Sequence, residues 1–200
     1  MKQDRRKRLT REKIFQSTRD LLARDIEVDE IKMQDIVERS ELSRTTLYQY
    51  FGSVGEIISA MGAAGIERWL AAFTPPDQWR SEHYDGLVYA YGHLARIVRR
   101  DRRIWAAMSR SGGIDRPPMR AAVSTMNKAL VEVLQSARAH AEIVPAAAPV
   151  ELAYILNTTQ VALCLRWSTG NFPRGSLRKW LELSLSVHVG LSGTGKSRSR

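Results

Sequence analysis

Residues 42–51 read Leu42-Ser43-Arg44-Thr45-Thr46-Leu47-Tyr48-Gln49-Tyr50-Phe51. Leu47 and Phe51 stand four positions apart, which puts both on one face of a short helix. Arg44, Thr45, Thr46, Gln49 and the two tyrosines fall on the other faces. Those polar types suit a DNA surface. Arg and Gln make bidentate contacts to base edges, a Thr methyl packs on thymine, and a Tyr hydroxyl reaches phosphate oxygens.

Upstream, Met33, Ile36 and Val37 predict a short second helix. Before that, Ile14, Thr18, Leu21 and Leu22 recur at amphipathic spacing, which predicts a first helix from Thr10, as its N-cap, to about Asp25. Three short helices with a tight connection between the second and third form a helix-turn-helix, whose third helix is held out as a ridge that fits the major groove. Downstream, Ser53 and Glu56 have capping-box spacing and open a fourth helix through Ile57, Ile58, Met61, Ile66 and Leu70, stopped at Thr74-Pro75-Pro76-Asp77. Further helical runs occupy about 81–100, 103–110, 117–140, 148–169 and 175–190. No segment alternates as a strand does, so the expected class is all-α with about nine helices.

The composition excludes several alternatives. Of 200 residues, 44% are hydrophobic and 26% charged, an ordinary balance for a folded chain. No stretch approaches the roughly 18 apolar residues needed to cross a bilayer. The net-basic N-terminus, Met1 to Arg8, is not followed by an apolar stretch, which predicts a cytoplasmic protein without a secretory leader. The single cysteine, Cys164, forms no internal disulfide and belongs to no metal-ligand cluster, so neither metal nor cofactor is expected. The formal charge of +10 is unevenly spread. Residues 1–13 carry +5, 96–120 carry +6 and 166–200 carry +6, whereas 14–52 carry −3. A basic segment before a first helix either contacts nucleic-acid phosphates or is a solvated tail.

Residues 10–58 resemble the DNA-binding region of the TetR-family repressors. The resemblance rests on Asp35-Ile36-Val37, on the 42–51 string with its aromatic-x-aromatic-Phe close, and on Glu56-Ile57-Ile58. It implies that Tyr48 and Tyr50 touch phosphates, that Arg44, Thr45, Thr46 and Gln49 read bases, and that Ser43 caps the recognition helix. Arg5, Arg6 and Arg8 of the basic arm, with Lys32 and Ser53, complete the candidate DNA-binding set. Three positions depart from the pattern. Glu41 stands where the turn usually has Gly, Ile31-Lys32 replace the usual Thr, and Gly55 replaces a Lys early in helix four.

The expected organisation is a basic arm at 1–9, a helix-turn-helix domain at 10–55, a ligand-binding and dimerisation domain at 56–192 and a loose tail at 193–200. The family's C-terminal domain is all-helical, and Arg166-Trp167-x-x-Gly170 resembles the end of its penultimate helix. The runs 153–165 and 177–189 are too apolar for helices buried on one face. They form either a monomeric core or, as the resemblance implies, a homodimer interface with Leu156, Leu163, Trp167, Trp180 and Leu181. Trp69, Phe73, Tyr89, His93, Trp105, Met108, Met126 and Asn157 are the candidate pocket residues for a small, mainly apolar or aromatic effector; each either lines a pocket or fills the core. Asn157, Thr158, Thr159 and Gln160 interrupt an apolar run, as a polar pocket wall or as interface contacts. The Arg99–Arg103 cluster binds an anionic ligand, approaches DNA or is a solvated corner between helices.

The implied function is a dimeric repressor that binds a palindromic double-stranded operator and is released by its effector, with no enzyme activity. Two other readings remain. Gly190 to Ser197 match the phosphate-loop pattern G-x-x-x-x-G-K-S, which works only between a strand and a helix; here a helix precedes it and three residues follow. The third is a DNA-binding protein without a ligand pocket.

Overall fold

The computed structural model describes residues 2–24, 26–73, 83–143, 147–172 and 175–189. Nine α-helices account for most of them: α1 Lys2–Leu22, α2 Met33–Ser40, α3 Arg44–Tyr50, α4 Val54–Phe73, α5 His83–Arg100, α6 Arg102–Arg110, α7 Pro117–Ala139, α8 Pro149–Ser168 and α9 Leu177–His188. Single 3-10 turns stand at Val28–Glu30 and Gly113–Asp115. The expected all-α class with about nine helices is observed.

The first helix begins earlier than its amphipathic stripe suggests. Residues 2–9 are Lys, Gln, Asp, Arg, Arg, Lys, Arg and Leu, mostly strong helix formers with Asp4 in the first turn, so the helix propagates through them. Thr10 is therefore no cap. Its hydroxyl donates to the Arg6 carbonyl at 3.0 Å, as a mid-helix threonine does. The basic residues 2–8 are the first two turns of α1 rather than a separate arm.

The chain forms two compact units. One comprises residues 1–64 and 101–121, the other 65–100 and 122–200. The packing thus does not follow a linear division at residue 55, because α6 and the start of α7 pack with the N-terminal helices. In the first unit Ile14, Thr18, Ile36 and Leu47 are wholly buried, and the Phe15 and Phe51 rings meet at 5.9 Å. Asp20 fastens α1 to α2: Arg39 donates to its Oδ2 through Nε at 3.1 Å and Nη2 at 2.9 Å, and Gln16 donates to Oδ1 at 2.8 Å. The Gln16 hydrogen bond first, then Arg39, hold the Asp20 carboxyl below the usual aspartate range. Arg103 donates to the Leu22 carbonyl at 2.7 Å, satisfying an orphan acceptor at the end of α1, and Arg110 pairs with Glu27. So at least one side chain of the Arg99–Arg103 cluster has a structural partner.

In the second unit α5, α8 and α9 pack together. Met126, Leu130 and Leu134 of α7, Leu156 of α8, and Leu181 and Leu185 of α9 are wholly buried. Trp69 donates to the Ala90 carbonyl at 2.7 Å and stacks with Tyr91 at 6.5 Å between ring centroids.

Candidate functional site

The α2–α3 connection has helix-turn-helix geometry. Glu41 adopts the left-handed conformation, φ 51° and ψ 28°, that a glycine takes without strain. Its carboxylate accepts from Lys13 Nζ at 3.3 Å, an exposed pair that offsets little of that cost. At the start of α2 the Lys32 side chain caps nothing, but its backbone N–H donates to Asp35 Oδ2 at 2.7 Å, so half of a capping box survives without the usual Thr.

Ser43 caps α3, its Oγ accepting from the Thr46 N–H at 3.0 Å. The same hydroxyl lies 2.8 Å from Thr46 Oγ1, which ties Thr46 back to the cap. Leu47 is wholly buried and Phe51 nearly so, leaving Arg44, Thr45, Tyr48 and Gln49 exposed and Tyr50 half-buried. The Arg44 guanidinium lies 5.7 Å from the centre of the Tyr48 ring, so a cation and an aromatic stand side by side on the outer face. Arg5, Arg6, Arg8 and Lys32 are exposed as well.

The start of α4 holds a cation that the local sequence does not announce. Ser53 Oγ accepts from the Glu56 N–H at 3.2 Å, while Glu56 reaches back to the Gly52 N–H at 2.8 Å, one residue before the box's usual partner. Arg116, from the α6–α7 connection, donates through Nη1 to Ser53 Oγ at 3.4 Å. Its guanidinium occupies the space beside Gly55 that a side chain would need. A positive group thus stands at the helix start where the sequence resemblance leads one to expect a lysine and the chain has Gly55. It comes from 61 positions along the chain, so no local pattern could have found it.

Nine helices in this order, with a helix-turn-helix at α2–α3, can be compared with known structures. A structure of FadR from Thermus thermophilus, a TetR-family repressor in complex with lauroyl-CoA, superposes with a TM-score of 0.63 at 20% identity, over 88% of this chain and 92% of that one. The chain has the TetR fold. A putative TetR-family regulator from Syntrophomonas wolfei gives a TM-score of 0.64 at 15% identity, over 91% and 94% of the two chains. SmeT, the repressor of a Stenotrophomonas maltophilia multidrug efflux pump, gives 0.57 at 15%, over 95% and 97%. No family model matches the sequence, and no curated protein resembles it closely enough in sequence to count as a relative. No helix among the described residues is long and apolar enough to cross a membrane.

The candidate pocket residues fall in both units. Trp69, Met126 and Asn157 are buried in the second unit. Trp105 and Met108 are buried in the first, where Met108 packs against Gly62 of α4. Tyr89 is 46% exposed beneath the Arg96 guanidinium and belongs to the surface of α5. His93 is half-buried; burial first, then Arg96 and Arg100, hold its pKa down, which keeps the ring neutral near pH 7. The Phe73 side chain lies outside the described residues, as do the Gly190–Ser197 match and the 193–200 tail.

The polar interruption on α8 divides by face. Thr158 is exposed and Thr159 half-buried, while Asn157 and Gln160 point inward at 4% and 0% exposure. Asn157 Nδ2 donates to the Val123 carbonyl at 3.2 Å, and Gln160 bonds the Tyr91 hydroxyl. Gln160 was singled out in the sequence only as part of this interruption, and its position against Tyr91 required the fold. Burial pushes the Tyr91 phenol and the Cys164 thiol well above their usual values, so neither ionises near neutral pH.

The candidate dimer residues divide too. Leu156 and Leu181 are wholly buried inside the protomer, because they lie on the inner faces of α8 and α9, and their side chains are not available to a partner. Leu163, Trp167 and Trp180 are half-buried. The large apolar side chains left exposed on these helices are Val150, Tyr154, Ile155, Leu183 and Val187, at 41% to 70%.

Proposed function

We propose that the chain is a ligand-responsive transcriptional regulator: a repressor that binds a palindromic operator as a homodimer, one helix-turn-helix per half-site, and releases it when a small, mainly apolar or aromatic effector binds the second unit. It acts in the cytoplasm and is not an enzyme. The observation that carries the reading is the outer face of α3. Arg44, Thr45, Tyr48 and Gln49 are exposed there, while Leu47 and the Ser43 cap hold the helix in place. A surface helix without a ligand gains nothing from presenting an Arg, a Gln and a tyrosine beside a left-handed, strained turn.

In this reading Arg44, Thr45, Thr46 and Gln49 read base edges. Tyr48, Tyr50, Lys32, the hydroxyls of Ser43 and Ser53 and the arginines of the first turns of α1 contact phosphates. Arg116 joins them at the start of α4. Residues 14–52 are net acidic, so cations outside that segment supply much of the salt-dependent affinity. The exposed apolar side chains of α8 and α9 are covered in the homodimer by their symmetry mates. The lauroyl-CoA in the Thermus FadR structure is a precedent for an effector with a long apolar part.

Selection from a pool of random double-stranded DNA with the full chain tests the reading. An enriched inverted repeat is expected. Arg44→Ala should relax the preference at one or two positions of each half-site, and Tyr48→Phe should weaken binding across all sequences. A chain that enriches no sequence, or variants that bind as the parent does, would overturn it.

A further inference from the structure

Among the buried side-chain polar atoms of the second unit that have no hydrogen-bond partner, two lie one turn apart on α8. Asn157 donates through Nδ2 to the Val123 carbonyl, which fixes the orientation of the amide, and its Oδ1 is then buried with no hydrogen-bond partner among the described residues. Gln160 uses one end of its amide on the Tyr91 hydroxyl, and its Oε1 is buried without a partner. With Nε2 donating to Tyr91, the end of the Gln160 amide left over is its oxygen, as it is for Asn157. Both residues are more than nine-tenths buried, and they lie one turn apart on the inner face of α8. Buried polar atoms in folded proteins are nearly always paired, so two unpaired acceptors side by side call for a donor from outside the chain.

The surroundings define that donor. Tyr91 stacks with Trp69, so an aromatic platform adjoins Gln160. Among the described residues, no buried residue of this unit is Asp, Glu, Lys, Arg or His, and both amides and the Tyr91 hydroxyl are neutral. A charged ligand group held between the two amides would therefore exchange its hydration for neutral partners. We propose that Asn157 and Gln160 are the specificity-determining residues of the effector site, and that the effector is an uncharged molecule carrying a hydroxyl or N–H donor on an aromatic or aliphatic body. The donor pairs with the free amide oxygens, and the body packs beside Tyr91 and Trp69. The inference rests on the effector-responsive reading above and adds the chemical class of the ligand.

Calorimetric titration of the full chain with three matched probes tests it: 4-propylphenol, its methyl ether 4-propylanisole, and 4-propylbenzoate. The phenol should bind at least about tenfold more tightly than the ether, which has the same body and no donor. The benzoate should bind more weakly than either. In Tyr91→Phe/Gln160→Met, which removes both partners of one hydrogen bond together and creates no new unpaired group, the advantage of the phenol should fall to about twofold. If that variant does not fold, Asn157→Leu is read in the same way. Equal binding of phenol and ether, tightest binding of the benzoate, an advantage that survives the substitutions, or no binding of any probe at millimolar concentration overturns the proposal. DNA selection is read separately: a chain that enriches no sequence yet prefers the phenol loses the regulator reading and keeps this ligand class.

Discussion

The guanidinium of Arg116 fills the space beside Gly55 at the start of α4, where a Cβ would stand 2.7 Å from its Nη2. Arg116 also donates to Ser53, so the α6–α7 connection and the helix start share one cation. In the proposed complex that cation meets a phosphate. Arg116→Ala should weaken binding about equally for all DNA sequences and lower the slope of log K against log salt by about one. Titration at several salt concentrations checks it, and an unchanged slope would confine Arg116 to a structural role.

Two glycines of α4 should respond in opposite ways to the same substitution. At Gly55 a methyl group meets only the far end of an arginine side chain, which can swing aside. The better helix propensity of alanine, about 1 kcal/mol, offsets the disturbance, so Gly55→Ala should leave stability within about 1 kcal/mol of the parent. At Gly62 the methyl overlaps the sulfur of Met108, which is wholly buried. Gly62→Ala should cost about 1–3 kcal/mol through overpacking. Urea unfolding of both variants measures the contrast.

The turn before α3 carries strain on one side and a cap on the other. Glu41→Gly should stabilise the chain by about 0.5–1 kcal/mol by releasing the left-handed conformation, since the exposed Lys13 pair it removes contributes little. Ser43→Ala should destabilise it by about 1 kcal/mol through loss of the hydrogen bond to the Thr46 N–H. Thermal unfolding reads both signs.

The α1–α2 contact should loosen in acid. The Asp20 carboxyl is held below its unfolded pKa by Gln16 and Arg39. A group with a lowered folded pKa contributes stability that is present above the unfolded value and is lost as pH falls through the folded one. Asp20→Asn should therefore lower Tm at pH 7 and make less difference as pH falls below about 4, the ordinary aspartate value. A gap between parent and variant that does not narrow in acid would show that Asp20 acts through geometry rather than charge.

The faces of α8 and α9 separate folding from assembly. Tyr154→Lys with Val187→Glu puts charge on exposed apolar positions and should convert a dimer to a monomer in sedimentation with helix content unchanged. Leu156, two positions from Tyr154, lies on the buried face, and Leu156→Ala should instead cost about 2–5 kcal/mol of the chain's own stability. A parent chain that sediments as a monomer would overturn the homodimer.

The sequence by itself determined the helical class, the α2–α3 unit and the polar face of α3. All three follow from spacing within a few residues: Leu47 with Phe51, Met33 with Ile36 and Val37. It misplaced the start of α1, because the apolar stripe begins at Ile14 whereas helix propagation depends on propensity, and residues 2–9 have enough of it without a buried face. Tertiary structure alone decided what depends on which helix packs on which. It brought Arg116 to Gly55, drew α6 with Trp105 and Met108 into the first unit, and turned Leu156 and Leu181 inward while leaving Tyr154 and Val187 exposed. It also decided that Asn157 and Gln160, two polar residues in an apolar run, face the interior with an unpaired oxygen each. Periodicity states which residues share a face of a helix; only packing against other helices states whether that face meets solvent, a partner or the core.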